Sequence, residues 1–524
     1  MIKQFVLTTA QMVTVDRSTI VEIGIPGVVL MENAGRRIAE IAADILGGVH
    51  EKNIVILCGK GNNGGDGYVV ARYLFERAAN VHVVLTSQPE QIKGDAVLNL
   101  TIIRRLGIRA EAYNAEKLDN LLSSADLVVD ALLGTGVTGE LKGVFREIVE
   151  KANQRRTVKL AVDLPTGMNA DTGAVTNVCF QANHTVTMGF LKRGLLFSPG
   201  RERAGRTHVA EIGFPASVLA KLNVSCSRTT PEDVAARLPR RNPNAYKNQC
   251  GEVLTIAGST GMTGAAALTA ESALRVGAGL SILAIPKSLN HILEQKLTEV
   301  MTLPVDEEKP GGWCAAAKAQ LAEKLTWAKS IAVGPGMGAD EGAFALVKWL
   351  LQGFVGPFVI DADGLNCLQG NTELIKNSKA DLIITPHPGE LSRLLSISKV
   401  EILANPVETA IHAAKSLKVI VVLKGGPTVI ANPQGETFIN STGNAGMATA
   451  GMGDVLTGII AGLLAQGAQP FDAAIVGVYL HGAAGDSVKE TAGEAGLLAG
   501  DVLSAIPSAL QQFEIQKETE IEYI

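Results

Sequence analysis

GNAGMATAGMGDVLTG, residues 443 to 458, is the stretch whose reading decides the fold of this chain. It carries glycines at 443, 446, 451, 453 and 458 and a single carboxylate, Asp454. It runs straight into apolar residues at helical spacing: Val455, Leu456, Ile459, Ile460, Leu463 and Leu464. Glycines at a helix start let backbone N–H groups approach an anion, and the helix dipole adds positive character there. Asp454 falls on the first turn, where a phosphate would rest. Like charges repel, so it suits taking a proton from a hydroxyl that attacks the phosphate rather than holding the phosphate itself. The plainer alternative is a close-packed glycine cap with Asp454 as dipole partner.

Such helix starts follow strands in α/β domains, and the flanking sequence supplies them. EVLTIAG (252–258), SILAIP (281–286), SIAVGPGMG (330–338), FVIDADGLN (358–366), DLIITPHPGE (381–390) and VIVVLKGGPT (419–428) are short apolar runs ending in glycine, proline or polar residues. Helical patterns separate them, which predicts a largely parallel sheet covered on both faces. His387, held between two prolines at a strand end, is stiffly presented and suits donation to a substrate.

The first half repeats the architecture. A helical pattern over 31–46 precedes NIVILC (53–58), the loop GKGNNGGDG (59–67), a helix and VHVVLT (81–86), a βαβ unit. The loop has GxGxxG spacing, but Thr86 and Ser87 stand where a dinucleotide fold wants an acidic residue. ADLVVDALL (125–133) leads into GTGVTGE (134–140), and VKLAVDLPTG (158–167) ends in Asp163, Pro165, Thr166 and Gly167. Loops at the carboxyl ends of parallel strands line one crevice. Asn62, Asn63, Asp66, Asp130 and Asp163 are thereby expected in one site. Residues 1–50 read as helical. The stretch from Pro215 to Gly251, rich in proline, arginine and asparagine, reads as the connection between domains.

Composition narrows the function. A chain of 524 residues exceeds one ordinary domain, and 47% hydrophobic residues supply large cores. A net charge of −5 without a basic stripe, and 4% aromatics, argue against nucleic acid. The six cysteines show no metal or disulfide spacing and suit a reducing compartment. No apolar run reaches membrane-spanning length and no signal peptide is evident, so a cytoplasmic protein is expected.

AGMGDVLTG (450–458), with KGGPT (424–428), TPHPGE (385–390) and GPGMG (334–338), resembles the dehydratase branch of the ribokinase-like superfamily. NNGGDG (62–67), VDALLGTGVTGE (129–140) and VDLPTG (162–167) resemble the companion epimerase domain. Together they are similar to the bifunctional NAD(P)H-hydrate repair enzymes, over about residues 10 to 505. The resemblance implies two three-layer α/β/α domains, Rossmann-like over 1–227 and ribokinase-like over 228–524. It implies that Asn62, Asn63, Gly64, Gly65 and Asp66, with Gly134, Thr135, Gly136, Val137, Thr138, Gly139 and Glu140, bind a hydrated dinucleotide (NADHX or NADPHX). It implies potassium held by Asn63, Asp130 and Thr166, and Asp163 beside the nicotinamide as a catalytic group. In the second half it implies substrate contacts from Ala265, Gly338, His387 and Asp454, with Asp454 catalytic. ADP with Mg2+ would lie against Lys424, Gly425, Gly426, Pro427, Thr428 and Gly453. A homo-oligomer is also expected. The competing readings are a vitamin-precursor or sugar kinase with a dinucleotide-binding domain, and a nucleotide-sensing scaffold.

Overall fold

The computed structural model describes residues 3–136 and 139–521, with side chains described to Phe513. The chain divides into two compact units, Gln4–Val224 and Ser225 onward.

In the first unit, seven parallel strands lie in the spatial order Arg109–Ala112, Asn80–Leu85, Asn53–Cys58, Leu127–Ala131, Val158–Val162, His184–Met188, Arg206–Ala210. Side chains alternate faces along a strand. Ile54, Ile56 and Cys58 join one core with the helices Gly27–Leu46, Asn62–Phe75 and Asp95–Arg105. Val55 and Leu57 join another core with Ala115–Ser124 and Gly143–Asn153. Both faces are therefore covered, which is why Asn53–Cys58 reads as an unbroken apolar run. The sheet grows one way from Asn53–Cys58 and the other way from Leu127–Ala131. The crevice at their carboxyl ends is the switch point where such folds bind ligands.

Two details differ from the sequence expectation. Residues 1–50 are not all helical: a strand, Gln4–Leu7, opens the unit and pairs in parallel with Leu191–Lys192. The helix after Asn53–Cys58 begins at Asn62, so NNGGDG is its first turn and a half rather than a loop. Close packing explains the glycines. A Cβ on Gly64 would sit 2.0 Å from the Gly59 carbonyl oxygen, and one on Gly67 would sit 2.7 Å from Ala131.

In the second unit the order is Met301–Val305, Leu280–Pro286, Glu252–Ile256, Ser330–Val333, Pro357–Ile360, Asp381–Ile384, Ile420–Leu423, all parallel. Val429–Ala431 and Thr437–Ile439 follow in antiparallel pairing, and Cys226–Arg228 adds in parallel to the last. The switch point lies between Glu252–Ile256 and Ser330–Val333. Helix Met452–Ala465 is buried along nearly its whole length, as an apolar helix inside a core must be. Gly458 and Gly462 let it approach helix Thr263–Arg275: a Cβ on Gly458 would lie 2.0 Å from the Thr269 carbonyl oxygen. The Pro215–Gly251 stretch is more regular than expected. Thr230 and Asp233 form a capping box for helix Pro231–Arg237, with proline in the first turn, where its missing N–H costs nothing. No helix among the described residues is long and apolar enough to cross a membrane.

Candidate functional site

Each unit gathers its polar strand-end residues into one place. In the first, Asp130 is the penultimate residue of strand Leu127–Ala131 and is fully buried. It accepts from the Thr166 backbone N–H at 2.8 Å, the Thr166 hydroxyl at 2.8 Å and the Leu132 N–H at 3.1 Å. Burial pushes its carboxyl up to about 6, and those three donors pull the other way. Every donor is neutral, so the carboxylate lacks a cationic side chain against it. Beside it, the buried Asn63 Nδ2 has no partner, and the Gly134 Cβ position falls 3.6 Å from the Asn63 amide. Asn63, Asp130, Thr166 and Gly134 therefore share one corner of the crevice. Gly136, Gly139 and Glu140 lie exposed on the same loop; Val137 and Thr138 lie outside the described residues.

Asp163 follows strand Val158–Val162 with φ of 66°, the left-handed region that a non-glycine residue adopts only under constraint. Lys192 supplies that constraint. Its ammonium donates to Asp163 Oδ1 at 2.6 Å, to Thr187 Oγ1 at 3.0 Å and to the Met188 carbonyl at 2.8 Å. Thr187 and the Met188 N–H add donors to the same carboxylate oxygen at 3.1 and 3.2 Å. Sequence reading passed over Lys192: one lysine on a two-residue strand has no pattern to reveal it. Asp66, on the second turn of helix Asn62–Phe75, is only 6% exposed.

In the second unit, Asp454 stands on the first turn of helix Met452–Ala465, whose N-terminus no side chain caps. Unpaired N–H groups at such an end are anion acceptors in waiting. Part of the preceding glycine segment is committed elsewhere: Gly443 N–H donates to Asp486 at 2.8 Å and Gly446 N–H to Asn444 at 3.0 Å. The anion seat is thus narrower than the whole stretch.

Lys424 faces this turn. It donates to Asp361 Oδ1 at 2.6 Å, and Glu390 lies 3.8 Å away. A Cβ on Gly453 would come within 3.2 Å of its ammonium nitrogen, so glycine leaves room at that point. Thr457, one turn beyond Asp454, donates to Asp361 Oδ2 at 2.8 Å. Burial would lower the Lys424 ammonium, but Asp361 and then Glu390 outweigh it and raise it. For Asp454, burial leads and Asp361 adds to it; Lys424 opposes, and the carboxyl is lifted to about 7. A carboxylate poised near neutrality is a suitable general base.

The other expected residues surround this centre. The TPHPGE loop is tied to Lys424 by the Lys424 N–H, which donates to the Pro386 carbonyl at 2.9 Å. Thr428 closes the KGGPT loop, its hydroxyl donating to the Gly425 carbonyl at 3.2 Å. Gly426 and Pro427 lie between these two. Gly338 donates its N–H to Asp363 at 3.0 Å. Two residues before it, Gly336 packs on Ala265, 3.1 Å from a would-be Cβ. Ala362, between Asp361 and Asp363, is left-handed at φ 48°, the second constrained non-glycine beside a site carboxylate.

His387 caps helix Pro388–Leu395. Its Nδ1 accepts the N–H groups of Gly389 and Glu390 at 2.9 and 3.2 Å. That nitrogen therefore carries no proton, and in the neutral ring Nε2 is the donor. Burial, then Lys424 and Arg393, lower its pKa and keep it neutral. Asp361, Asp363 and Glu390 were not singled out from sequence, although FVIDADGLN and TPHPGE contain them.

A doubly wound crevice, joined in one chain to a second α/β unit with an uncapped glycine-rich helix start, defines a two-unit α/β enzyme. Residues 253–508 match the family model described as NAD(P)H-hydrate dehydratase, and residues 27–194 match that described as YjeF-related protein N-terminus. The chain is 43% identical over 521 residues to the bifunctional NAD(P)H-hydrate repair enzyme Nnr of Moorella thermoacetica, covering 98% of both chains. To Nnr of Salinibacter ruber it is 40% identical over 518 residues, covering 96% of this chain and 95% of that one. Among solved structures, it is similar to the ADP/ATP-dependent NAD(P)H-hydrate dehydratase from Bacillus subtilis co-crystallized with ATP/Mg2+. That match is 30% identical with a TM-score of 0.47, covering 54% of this chain and 97% of that one. The chain belongs to the family of bifunctional NAD(P)H-hydrate repair enzymes.

Proposed function

We propose that this chain restores NADH and NADPH whose nicotinamide ring has gained water, leaving a hydroxyl on carbon 6. Residues 1–227 interconvert the R and S hydrates, and residues 228–524 dehydrate the S form with ADP, releasing AMP and phosphate. The observation that carries the second step is Asp454, lifted to about 7 on an uncapped helix N-terminus beside Lys424. Asp454 accepts the hydroxyl proton, and the oxygen attacks the terminal phosphorus of ADP, breaking its bond to the bridging oxygen of AMP. The first-turn N–H groups and Lys424 offset the charge that develops. The ring nitrogen lone pair then expels phosphate, a far better leaving group than hydroxide, and loss of a proton from carbon 5 to water restores the ring double bond. His387, through Nε2–H, and the Gly338–Ala265 surface hold the substrate, while Gly425 to Thr428 and Gly453 face the nucleotide.

In the first half, Asn62 to Asp66 and Gly134 to Glu140 hold the dinucleotide, and Asp163 assists proton movement at the ring. A potassium ion fits the corner of Asn63, Asp130 and Thr166: the donors are oxygens, and a fully buried carboxylate there has only neutral partners. When bound, it supplies the positive charge that this carboxylate lacks. For Mg2+, no group of three or more His, Cys, Asp or Glu suited to a metal occurs among the described residues. Such an ion fits as a partner of the nucleotide's phosphates, held by one or two carboxylates and water. The six cysteines are buried and none forms a disulfide among the described residues, which suits a cytoplasmic location, and we also propose a homo-oligomer.

The test is a mixed R/S hydrate sample given to the intact chain with ADP. Near-complete recovery of NADH, with one AMP and one phosphate for each, is expected. Accumulation of a stable phosphate ester would show a small-molecule kinase instead.

A further inference from the structure

The crevice of the first unit contains a carboxyl group that the hydrogen-bond network does not use. Asp130 and Asp163 each take three hydrogen bonds or more, whereas no described group donates to Asp66, although it is 6% exposed. A buried carboxyl without partners is costly as a structural element, so its environment needs another explanation.

Its position supplies one. Asp66 enters from the helix after strand Asn53–Cys58, and Asp163 from the turn after strand Val158–Val162. Strand Leu127–Ala131 lies between those two. At about 4.8 Å per strand, the two strands that lead to them lie about 10 Å apart, with the switch-point crevice at their carboxyl ends. A crevice of that width admits a flat six-membered ring. The charges around the crevice are unequal. Lys192 is the one ammonium acting on this group, and it is spent on Asp163 at 2.6 Å. Asp66 meets burial, then the negative charges of Asp163 and Asp16, and these hold its carboxyl well above the usual range. One carboxyl group is thus held by an ammonium and the other is left without one, the unequal environments that acid–base pairs require.

We propose that Asp66 is a second catalytic group of the epimerising half, working from the opposite side of the ring to Asp163. The inference rests on the epimerase reading of that half. Asp66 gives its proton to the hydroxyl on carbon 6; the C–O bond breaks, water leaves, and the ring nitrogen lone pair forms the C=N bond of an iminium ion. Water adds to carbon 6 from the other face, its oxygen forming the new C–O bond and its proton passing to the Asp163 carboxylate. The C=N electrons return to nitrogen. Return of the proton from Asp163 to Asp66 through crevice water completes the cycle, and the reverse epimerisation exchanges the two roles. No oxidant or reductant is needed, because water lost and water gained balance.

The experiment uses the full chain with pure R-NADHX. Asp66→Asn should slow R-to-S interconversion by at least ~10²-fold, and Asp66→Glu should retain part of it. In H2(18)O, label entry at the carbon 6 hydroxyl should fall by the same factor. NADH, which has no hydroxyl to protonate, should bind Asp66→Asn with a loss far smaller than the loss of rate. S-hydrate dehydration should be unchanged, showing that the second unit is folded, and the melting transition of the first unit should persist. The infrared carbonyl band of neutral carboxylic acid at pH 7 should be weaker in Asp66→Asn than in wild type, the remainder belonging to Asp454. Interconversion by Asp66→Asn within tenfold of wild type overturns the proposal. So does a loss of NADH binding equal to the loss of rate, which would make Asp66 a binding group only. Wild type that fails to interconvert the epimers at all would instead overturn the epimerase reading itself.

Discussion

Replacing Asp454 by asparagine separates a catalytic base from a helix cap, because the two roles predict opposite changes in stability. The carboxyl rises from an ordinary 3.8 to about 7 in the folded chain, through burial first and then Asp361. The folded state therefore binds this proton more tightly than the unfolded state, and stability from this group falls as pH rises from 3.8 to about 7. Above pH 7 the penalty is complete, at about 4 kcal/mol; at pH 5 it is about 2 kcal/mol; below pH 4 it vanishes. Asparagine keeps the shape and carries no charge. Asp454→Asn should thus raise the melting temperature of the second unit by roughly 6 °C at pH 8, with the gain fading toward pH 4. Dehydration should fall by ~10² to 10⁴, with the KM for ADP little changed and epimerisation intact. In wild type, kcat for dehydration should drop about tenfold per pH unit below 7 as the base is protonated. Scanning calorimetry across pH and a coupled NADH-recovery assay measure both. A lower melting temperature at pH 8 together with surviving dehydration would make Asp454 a dipole partner and refute the reasoning.

Asp130→Ala should abolish R/S interconversion and leave S-hydrate dehydration intact, so a mixed sample with ADP would stop at the S fraction; chiral chromatography reads this out. Asp163→Asn should stop interconversion as well, and because it leaves the buried Lys192 ammonium without its carboxylate it should cost about 3–5 kcal/mol in chemical denaturation of the first unit. Gly458→Ala places a methyl 2.0 Å from the Thr269 carbonyl and the Ser272 hydroxyl. It should lower stability by about 1–3 kcal/mol in the same assay, and equal stability would show that the two helices separate at little cost.

What sequence revealed and what it hid follow from the range of the interactions. Asp454 was legible because its meaning is local: glycines before it and an apolar helix after it lie within sixteen residues. Asp130 and Asp163 were legible as the polar ends of apolar runs. Lys192 was not, since its link to Asp163 spans 29 positions and depends on how two strands are placed. Asp361 was quoted inside its strand, yet its grip on Lys424 spans 63 positions and its grip on Thr457 spans 96. The edge strand Arg206–Ala210, reading RTHVA, has no apolar run because much of it is exposed. His387 illustrates a finer limit. Its stiff presentation was readable, but which ring nitrogen carries the proton was set by a cap that only coordinates display.

The two halves, differently wound, reach one electrostatic arrangement. In the second, Lys424 pins Asp361 at 2.6 Å, and Asp454 nearby is lifted by burial and by Asp361. In the first, Lys192 pins Asp163 at 2.6 Å, and Asp66 is lifted by burial and by Asp163. In each case one lysine serves one carboxylate fully and leaves the other short of positive charge. The lysine holds its carboxylate in the site, and that carboxylate, with burial, raises the second carboxyl above its ordinary range. A single carboxylate in the same pocket would feel burial alone, with a smaller rise and no fixed partner to orient the substrate. A left-handed non-glycine residue beside each pinned carboxylate, Asp163 itself and Ala362 after Asp361, marks the backbone constraint that accompanies the arrangement. The chemistry at carbon 6 gives both halves the same need. Whether the hydroxyl departs as water or is first passed to phosphorus, a proton must move at neutral pH, and a carboxyl group of ordinary acidity is poorly suited to hold it.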